Sequence, residues 1–443
     1  MAKIISIIKR HKLITGIIFV GLLVTLSYSF YFQVRVAVDA KAYDSIAWSL
    51  VQGTGYTETT SSIPNSSVGR SGPGYEFFLA FWYLIFGHNL WIIWIVQSLI
   101  HAGSALLVYL IIKQLLDDSR SELFASLGAG FYIFFIDLLE MPSMILTETL
   151  YMFLILYGVH LSIKLWGKPT FKITAEIAVF FTLAVLIRPQ AALLLVFTLG
   201  FLLWNRLYRH ALVLIMVTVI LMTPWTIRNY RVFNKFIPTG MQLGYNLWVG
   251  NSPDSKFVGE MVATKEIDKY AEEYGYFAAN ERGIQEVKNL ALRHPLTFLK
   301  LQLVKTSVYF SVARPAAFWF HLKGLSQLVT IGFSSLFAFI VFIFGLAGFW
   351  RFVKKKDIVS RMFVLFTLAA PVGVIWTIVE TRYRYQLYPF AIVLGVMFLA
   401  EFIKNKKELS RILLVTAMLV TANTLFDFIH NSARVIERLQ RLW

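Results

Sequence analysis

The chain has 443 residues, 57% hydrophobic, 16% aromatic and only 15% charged, where a soluble domain carries about 25% charged residues; the composition excludes a soluble globular protein and predicts a polytopic membrane protein. The formal net charge is +17, but the Lys and Arg residues gather between apolar stretches, a pattern that encodes membrane topology and not nucleic-acid binding. With no cysteine in the chain, disulfides, thiolate catalysis and cysteine-based metal sites are excluded.

The basic start (Lys3, Lys9, Arg10, Lys12) leads into the uncharged run 13–32, whose ~20 residues match the hydrocarbon thickness of a bilayer. No small-x-small cleavage site follows, so this run reads as a retained signal anchor with a cytoplasmic N-terminus. Further spans are predicted near 90–112, 121–139, 146–166, 174–190, 191–205, 210–228, 327–352, 358–379, 385–403 and 411–429, about eleven transmembrane helices in all. Basic connections hold Lys113 and Arg120; Lys164, Lys168 and Lys172; Arg206 and Arg209; Arg351, Lys354, Lys355, Lys356 and Arg361; and Lys404, Lys406, Lys407 and Arg411. They are expected in the cytoplasm, with the alternate connections outside. The terminal Arg434, Arg438 and Arg441 then fall outside, against the rule. This alternation requires that Tyr75–Phe86, ~12 residues long, lie in the interface or re-enter and not span.

Two outward segments are large. The first, 33–89, carries Asp39 followed by Ala40, Tyr43, Ile46, Ala47 and Leu50 at helical spacing, which predicts an amphipathic helix over 40–51 that Gly53 and Gly55 stop. A carboxylate there lies at the membrane–water boundary, where a substrate's tail would sit in lipid and its headgroup in water; it would equally serve as an N-cap. The second, 229–326, passes from a Gly-rich part into a charged helix over about 262–293, ended by Pro295, and then into an apolar, aromatic stretch 296–320 that reads as an interfacial element. Its aromatic run 309–320 suits an interfacial belt better than a sugar platform.

Ionisable residues at the outer helix ends are the informative set. Arg70, Arg188, Arg228, Arg382 and Arg384 all fall on that side. Guanidinium groups bind phosphate oxygens bidentately and stay charged at any working pH; alternatively they anchor helix ends by snorkelling. The acids are Asp39 and Asp44, candidate general bases, and Glu148, which opens a helix where the dipole alone favours an anion by ~0.3–1 kcal/mol. The histidines show no His-x-x-x-His spacing. No metal ligand is assigned, and a divalent metal held by carboxylates stays open.

The order of motifs resembles the GT-C superfamily, specifically the family 39-like glycosyltransferases, which include protein O-mannosyltransferases and lipid A aminoarabinose transferases. The resemblance rests on Asp39-x-x-x-Tyr43-x-x-x-Ala47 closed by Gly53-Thr54-Gly55-Tyr56, on Arg70-Ser71-Gly72-Pro73-Gly74-Tyr75, and on Leu146-Thr147-Glu148. Leu186-Ile187-Arg188-Pro189, Pro224-Trp225-Thr226-Ile227-Arg228-Asn229-Tyr230, the run Gly244 to Asn251, and Arg382-Tyr383-Arg384-Tyr385 complete it. It implies one GT-C-like all-α domain over 1–443, in the plasma (inner) membrane, with interfacial helices in the first outward loop. It also implies transfer of a sugar from a polyprenyl-phosphate donor to a lipid, glycan or protein acceptor on the outer face, with inversion. The membrane lipids are further partners; no nucleic acid or nucleotide-sugar is expected.

On that resemblance Asp39 is the catalytic base. Arg70, Arg188, Arg382, Arg384, Tyr43 and Tyr75 bind the phosphate or lipid-linked sugar, with Asp44, Glu148, Arg228 and Asn251 secondary. Two positions depart from the family: Ala40 stands where many members carry Glu directly after the Asp, and Gly72-Pro73 where relatives often carry two prolines. A second reading of the same helices is a lipid or ion transporter or flippase; transporters usually bring polar residues to mid-membrane and show internal repeats, whereas here the charges gather at one surface.

Overall fold

The computed structural model describes residues 11–61, 63, 66–69, 72–116, 119–252, 264–312 and 321–432, and among them every regular element is helical. In chain order these are α1 (Lys12–Phe32), α2 (Asp39–Val51), α3 (Gly74–Phe86), α4 (Leu90–Leu115), α5 (Ser121–Phe134), the single turn α6 (Ile136–Leu139), α7 (Glu148–Gly167), α8 (Phe171–Ile187) and α9 (Ala192–Trp204). The second half holds α10 (Tyr208–Phe233), α11 (Leu243–Asn251), α12 (Thr264–Arg293), α13 (Pro295–Phe310), α14 (Gly324–Lys354), α15 (Ile358–Ile375), α16 (Tyr388–Lys404) and α17 (Lys406–His430).

All the apolar stretches predicted to span become helices. Among the described residues 8 are long and apolar enough to cross a membrane, or 9 if the bent pair formed by Ser121–Phe134 and Ile136–Ser143 counts as one. The rest of the predicted spans are α8, with 17 residues, and the short α9. Burial sorts them. The span that includes α16 is 78% buried, whereas α1, α10 and α17 are 22%, 11% and 17% buried, so α16 is the spine of the bundle and those three face lipid. α14 lies close along α16 because Gly348 has no side chain: a Cβ there would meet the Leu394 carbonyl oxygen at 2.1 Å, the small-residue contact typical of membrane helix pairs.

Local chemistry sets the helix ends. The Thr170 hydroxyl accepts from the Ile173 N–H at 3.2 Å at the start of α8, and Asp357 accepts from the Ser360 N–H at 2.8 Å at the start of α15. Pro295 occupies the first turn of α13, where its missing N–H costs nothing. α10 holds Pro224 in its interior and runs on to Phe233, beyond the predicted end near 228. The Thr223 and Thr226 hydroxyls bond the Val219 and Met222 carbonyls at 2.7 and 2.9 Å on either side of the proline, a local adjustment that lets membrane helices tolerate it. α12 follows the predicted charged helix but is kinked at Gly275, which has φ 83°.

α3 has 13 residues, too short to cross; it packs on α2 and on the end of α8. Gly72 is required there, since a Cβ would meet the Leu186 carbonyl oxygen at 2.1 Å. The bundle therefore has two distinct ends. One gathers Asp39, Glu148, Arg188 and Arg382. The other gathers the basic connections, tied by Arg351–Glu401 at 2.9 Å, Lys355–Glu401 at 3.0 Å and Lys113–Glu122 at 3.5 Å.

Candidate active site

Four charged side chains from four parts of the chain form one linear cluster. Asp39 stands at the first turn of α2 and its carboxylate accepts from Arg382 Nη2. Arg382 belongs to the 3-10 turn Thr381–Leu387 that precedes α16, and its Nε lies 3.9 Å from Glu148 Oε1. Glu148, at the start of α7, is ion-paired with Arg188 Nη2 at 2.6 Å, and Arg188 Nε donates to the Thr147 hydroxyl at 2.7 Å. Arg188 reaches this point because the Arg188-Pro189 step joins α8 to α9 at the bundle's end. The Tyr383 ring lies beneath both guanidiniums, 5.4 Å from Arg188 and 5.1 Å from Arg382.

The exposures give the cluster a direction: the Arg382 and Glu148 side chains are 4% exposed and Asp39 is 17%. Asp39 is thus the open member of a sequence of alternating charges whose other end is buried. A helical turn on from Asp39, the buried Tyr43 ring meets Tyr75 edge-on at 5.5 Å. Burial first, and then the Asp39 carboxylate, hold the Tyr43 hydroxyl protonated, well above its ordinary pKa. Tyr75 donates to Gln97 at 2.9 Å, and Gln97 in turn donates to the Pro142 and Met144 carbonyls at 3.0 and 2.8 Å. This network fixes the loop that leads into Glu148.

Asp39 does not cap its helix. The N-cap position is Val38, no side chain caps there, and the Asp39 carboxylate serves Arg382 instead. Other expected residues lie elsewhere. Arg384, two residues from Arg382, donates to the Ser311 carbonyl and shares a buried cluster with Asp137, which accepts from Tyr388 at 3.1 Å and Ser334 at 2.5 Å. Alternate residues of the turn Thr381–Leu387 thus serve two different clusters. Asp44 accepts from Tyr83 at 2.7 Å and pairs with His88 at 2.9 Å on another side of α2. Arg228 packs on the Tyr56, Trp225 and Phe233 rings at 5.5, 5.1 and 5.4 Å. Arg70 lies outside the described residues.

Asn251 belongs to a hub that the sequence reading passed over. Lys305, fully buried on α13, donates to Asn251 Oδ1 at 2.7 Å and to the Thr377 carbonyl at 3.1 Å, with the Trp376 carbonyl at 3.4 Å. Gln302 donates to the same Asn251 oxygen at 2.7 Å. Burial pushes the Lys305 ammonium down to about 7. Gly250 lets α11 touch the backbone here, since a Cβ would meet the Thr377 oxygen at 2.0 Å. The hub therefore anchors the end of α15, a few residues before Arg382. Lys305 had only its interspersed position in an apolar stretch as a signal. Among the described residues no three His, Asp or Glu side chains gather to hold a metal ion; Asp39 and Glu148 each face a guanidinium.

The apolar spans with a charged cluster at one end define a multi-pass, all-helical membrane protein, and its fold is similar to that of solved oligosaccharyltransferases. A family model described as dolichyl-phosphate-mannose-protein mannosyltransferase matches residues 70–227, a segment that contains Glu148 and Arg188 but neither Asp39 nor Arg382. The chain is similar in fold to the oligosaccharyltransferase AglB from Archaeoglobus fulgidus in complex with an inhibitory peptide and a dolichol-phosphate, at 12% identity and TM-score 0.50, covering 97% of this chain and 56% of that one. The apo form of the Archaeoglobus fulgidus oligosaccharyltransferase matches at 13% identity and TM-score 0.51, covering 95% and 56%. The chain thus spans little more than half the length of these structures. Among curated proteins none matches. The resemblance to the mannosyltransferase family thus holds in sequence over residues 70–227, and the solved structures share the fold.

Proposed function

We propose that the chain is a glycosyltransferase that moves a sugar from a polyprenyl-phosphate donor to an acceptor on the extracytoplasmic face of the plasma (inner) membrane, inverting the anomeric centre. The observation that carries this reading is the Asp39–Arg382–Glu148–Arg188 cluster at one end of the spans, opposite the basic connections. A neighbour of the same fold is described with a dolichol-phosphate and a peptide, which supports a lipid phosphate as donor. Arg382 and Arg188 are the groups that hold the phosphate as its charge develops. Asp39, the open carboxylate, takes the proton of the acceptor nucleophile, which attacks the anomeric carbon from the face opposite the departing phosphate. On this reading Tyr43, a helical turn from Asp39, and Tyr75, edge-on to it, bind the lipid-linked sugar.

The decisive experiment is Asp39→Asn in proteoliposomes supplied with a polyprenyl-phosphate sugar. Asn keeps the shape and still accepts from Arg382 but takes up no proton. Transfer is expected to fall ~10²–10⁴-fold with thermal stability close to wild type; full transfer by the folded variant overturns the assignment of Asp39.

A further inference from the structure

At the end of the bundle opposite Asp39, a groove of about 640 Å³ opens between α9, the last turn of α14 and the first turns of α15. That volume falls within the ~300–1,000 Å³ of small-molecule sites. Phe197, Phe201, Trp204 and Phe352 line it with apolar surface, and Lys356 and Arg361 stand at its edge. The groove is separate from the charged cluster. Arg188 precedes α9 and Trp204 ends it, 13 residues on, a rise of ~20 Å. Arg361 sits in the first turn of α15 (Ile358–Ile375), whose far end lies ~21 Å along the helix, and Arg382 follows that end.

The charges at this end are unevenly matched. Arg351 and Lys355 are paired with Glu401, and Lys113 with Glu122. Lys356 and Arg361 are both exposed, and among the described residues neither pairs with a carboxylate. The acid between them, Asp357, accepts from the Ser360 N–H at the start of α15, and Lys355 lies close enough to favour its ionised form. Two unmatched cations therefore border an apolar groove on the bilayer-facing surface. Trp204 is 81% exposed beside them, as an indole at headgroup level is.

We propose that this groove binds an anionic diacyl phospholipid of the leaflet opposite Asp39, with an acyl chain along Phe197, Phe201 and Phe352 and its phosphate held by Lys356 and Arg361. Basic pockets between membrane helices recognise anionic headgroups in this way. The assignment is independent of the transferase reading.

The test uses the full chain in nanodiscs, with Trp204 emission isolated by subtracting the Trp204→Phe variant. Brominated-chain phosphatidylglycerol should quench that emission in preference to brominated-chain phosphatidylcholine, with a relative association on the order of twentyfold, since each cation contributes roughly fivefold. The double variant K356A/R361A should bring the preference close to one. The single variants Lys356→Gln and Arg361→Gln should each lose part of it, which keeps the test informative should the double variant fold poorly. Equal quenching by the two lipids in wild type overturns the proposal. So does a preference that survives all the cation variants, or phosphatidylglycerol displaced by polyprenyl phosphate at equal mole fraction.

Discussion

Glu148→Gln asks whether the two buried arginines are held for a phosphate or only for each other. The cluster contains Arg188 and Arg382 against Asp39 and Glu148, so its formal charge is zero; the substitution keeps shape and an acceptor oxygen but leaves one uncompensated positive charge. Opposite charges ~4 Å apart attract by about 4 kcal/mol at an effective dielectric constant near 20, and Arg382 Nε lies 3.9 Å from Glu148 Oε1, with Arg188 Nη2 nearer at 2.6 Å. Breaking a buried pair from one side costs about 3–5 kcal/mol, and the retained acceptor puts this loss near ~3 kcal/mol. A lipid phosphate then supplies the missing negative charge. Polyprenyl phosphate should therefore stabilise the variant more than wild type, by up to ~3 kcal/mol, or about two decades in affinity. Thermal unfolding in micelles, titrated with polyprenyl phosphate, measures both numbers. A variant with lowered Tm that the lipid raises no further than wild type would refute phosphate binding at these arginines. An unchanged Tm would refute the electrostatic account of the cluster.

Further predictions concern the hub and the second carboxylate. Lys305 titrates at about 7 in the folded protein, against an ordinary 10.5, so between those values the unfolded chain binds the extra proton and stability rises with pH, by at most ~1.4 kcal/mol per unit. Below about pH 7 the contribution is flat. Lys305→Met should lack this slope, so that the difference between the wild-type and variant Tm-against-pH curves carries it; identical slopes would show that Lys305 does not titrate there. Gly250→Ala places a methyl 2.0 Å from the Thr377 oxygen, so α11 and the end of α15 must part. A loss of ~1–3 kcal/mol is expected, with reduced transfer, read by unfolding and by product formation. Asp44→Asn should retain most transfer, because Asp44 faces Tyr83 and His88 and not Arg382; a loss as large as that of Asp39→Asn would show that the two carboxylates act together.

The spans were legible because a run of apolar residues long enough for a bilayer has few alternatives, and the alternating basic connections sorted their ends. The short α3 followed from the same arithmetic. Site residues that neighbour helix ends, such as Arg188 beside Pro189 and Glu148 at the start of α7, could be placed on one side of the bundle for that reason. Pairing was not legible. Asp39 and Arg382 are 343 positions apart, and nothing in their spacing says that they meet. Nor does local sequence separate Arg382 from Arg384: the 3-10 turn sends one to Glu148 and the other to Asp137. Lys305 stayed hidden because an isolated lysine in an aromatic stretch reads as a snorkelling surface cation, and only the approach of Asn251 and the Trp376 and Thr377 carbonyls turns it inward.

What positions Asp39 is not the helix it begins. Val38, the residue before it, has φ 51° and ψ −123°, a conformation costly for a β-branched residue, and its side chain is 64% exposed, so its own packing does not compensate. The surrounding structure must hold the turn, and one contact at that point is Asp39 with Arg382. Arg382 is in turn placed by Glu148 and by a segment that the Lys305 hub fastens at Trp376 and Thr377. Asp39 is therefore set by contacts from both halves of the chain. On the proposed reading, the contact that orders Asp39 is also the one with which a donor phosphate competes. A phosphate drawing Arg382 toward itself releases Asp39 to accept a proton, so that donor binding and activation of the base become one event.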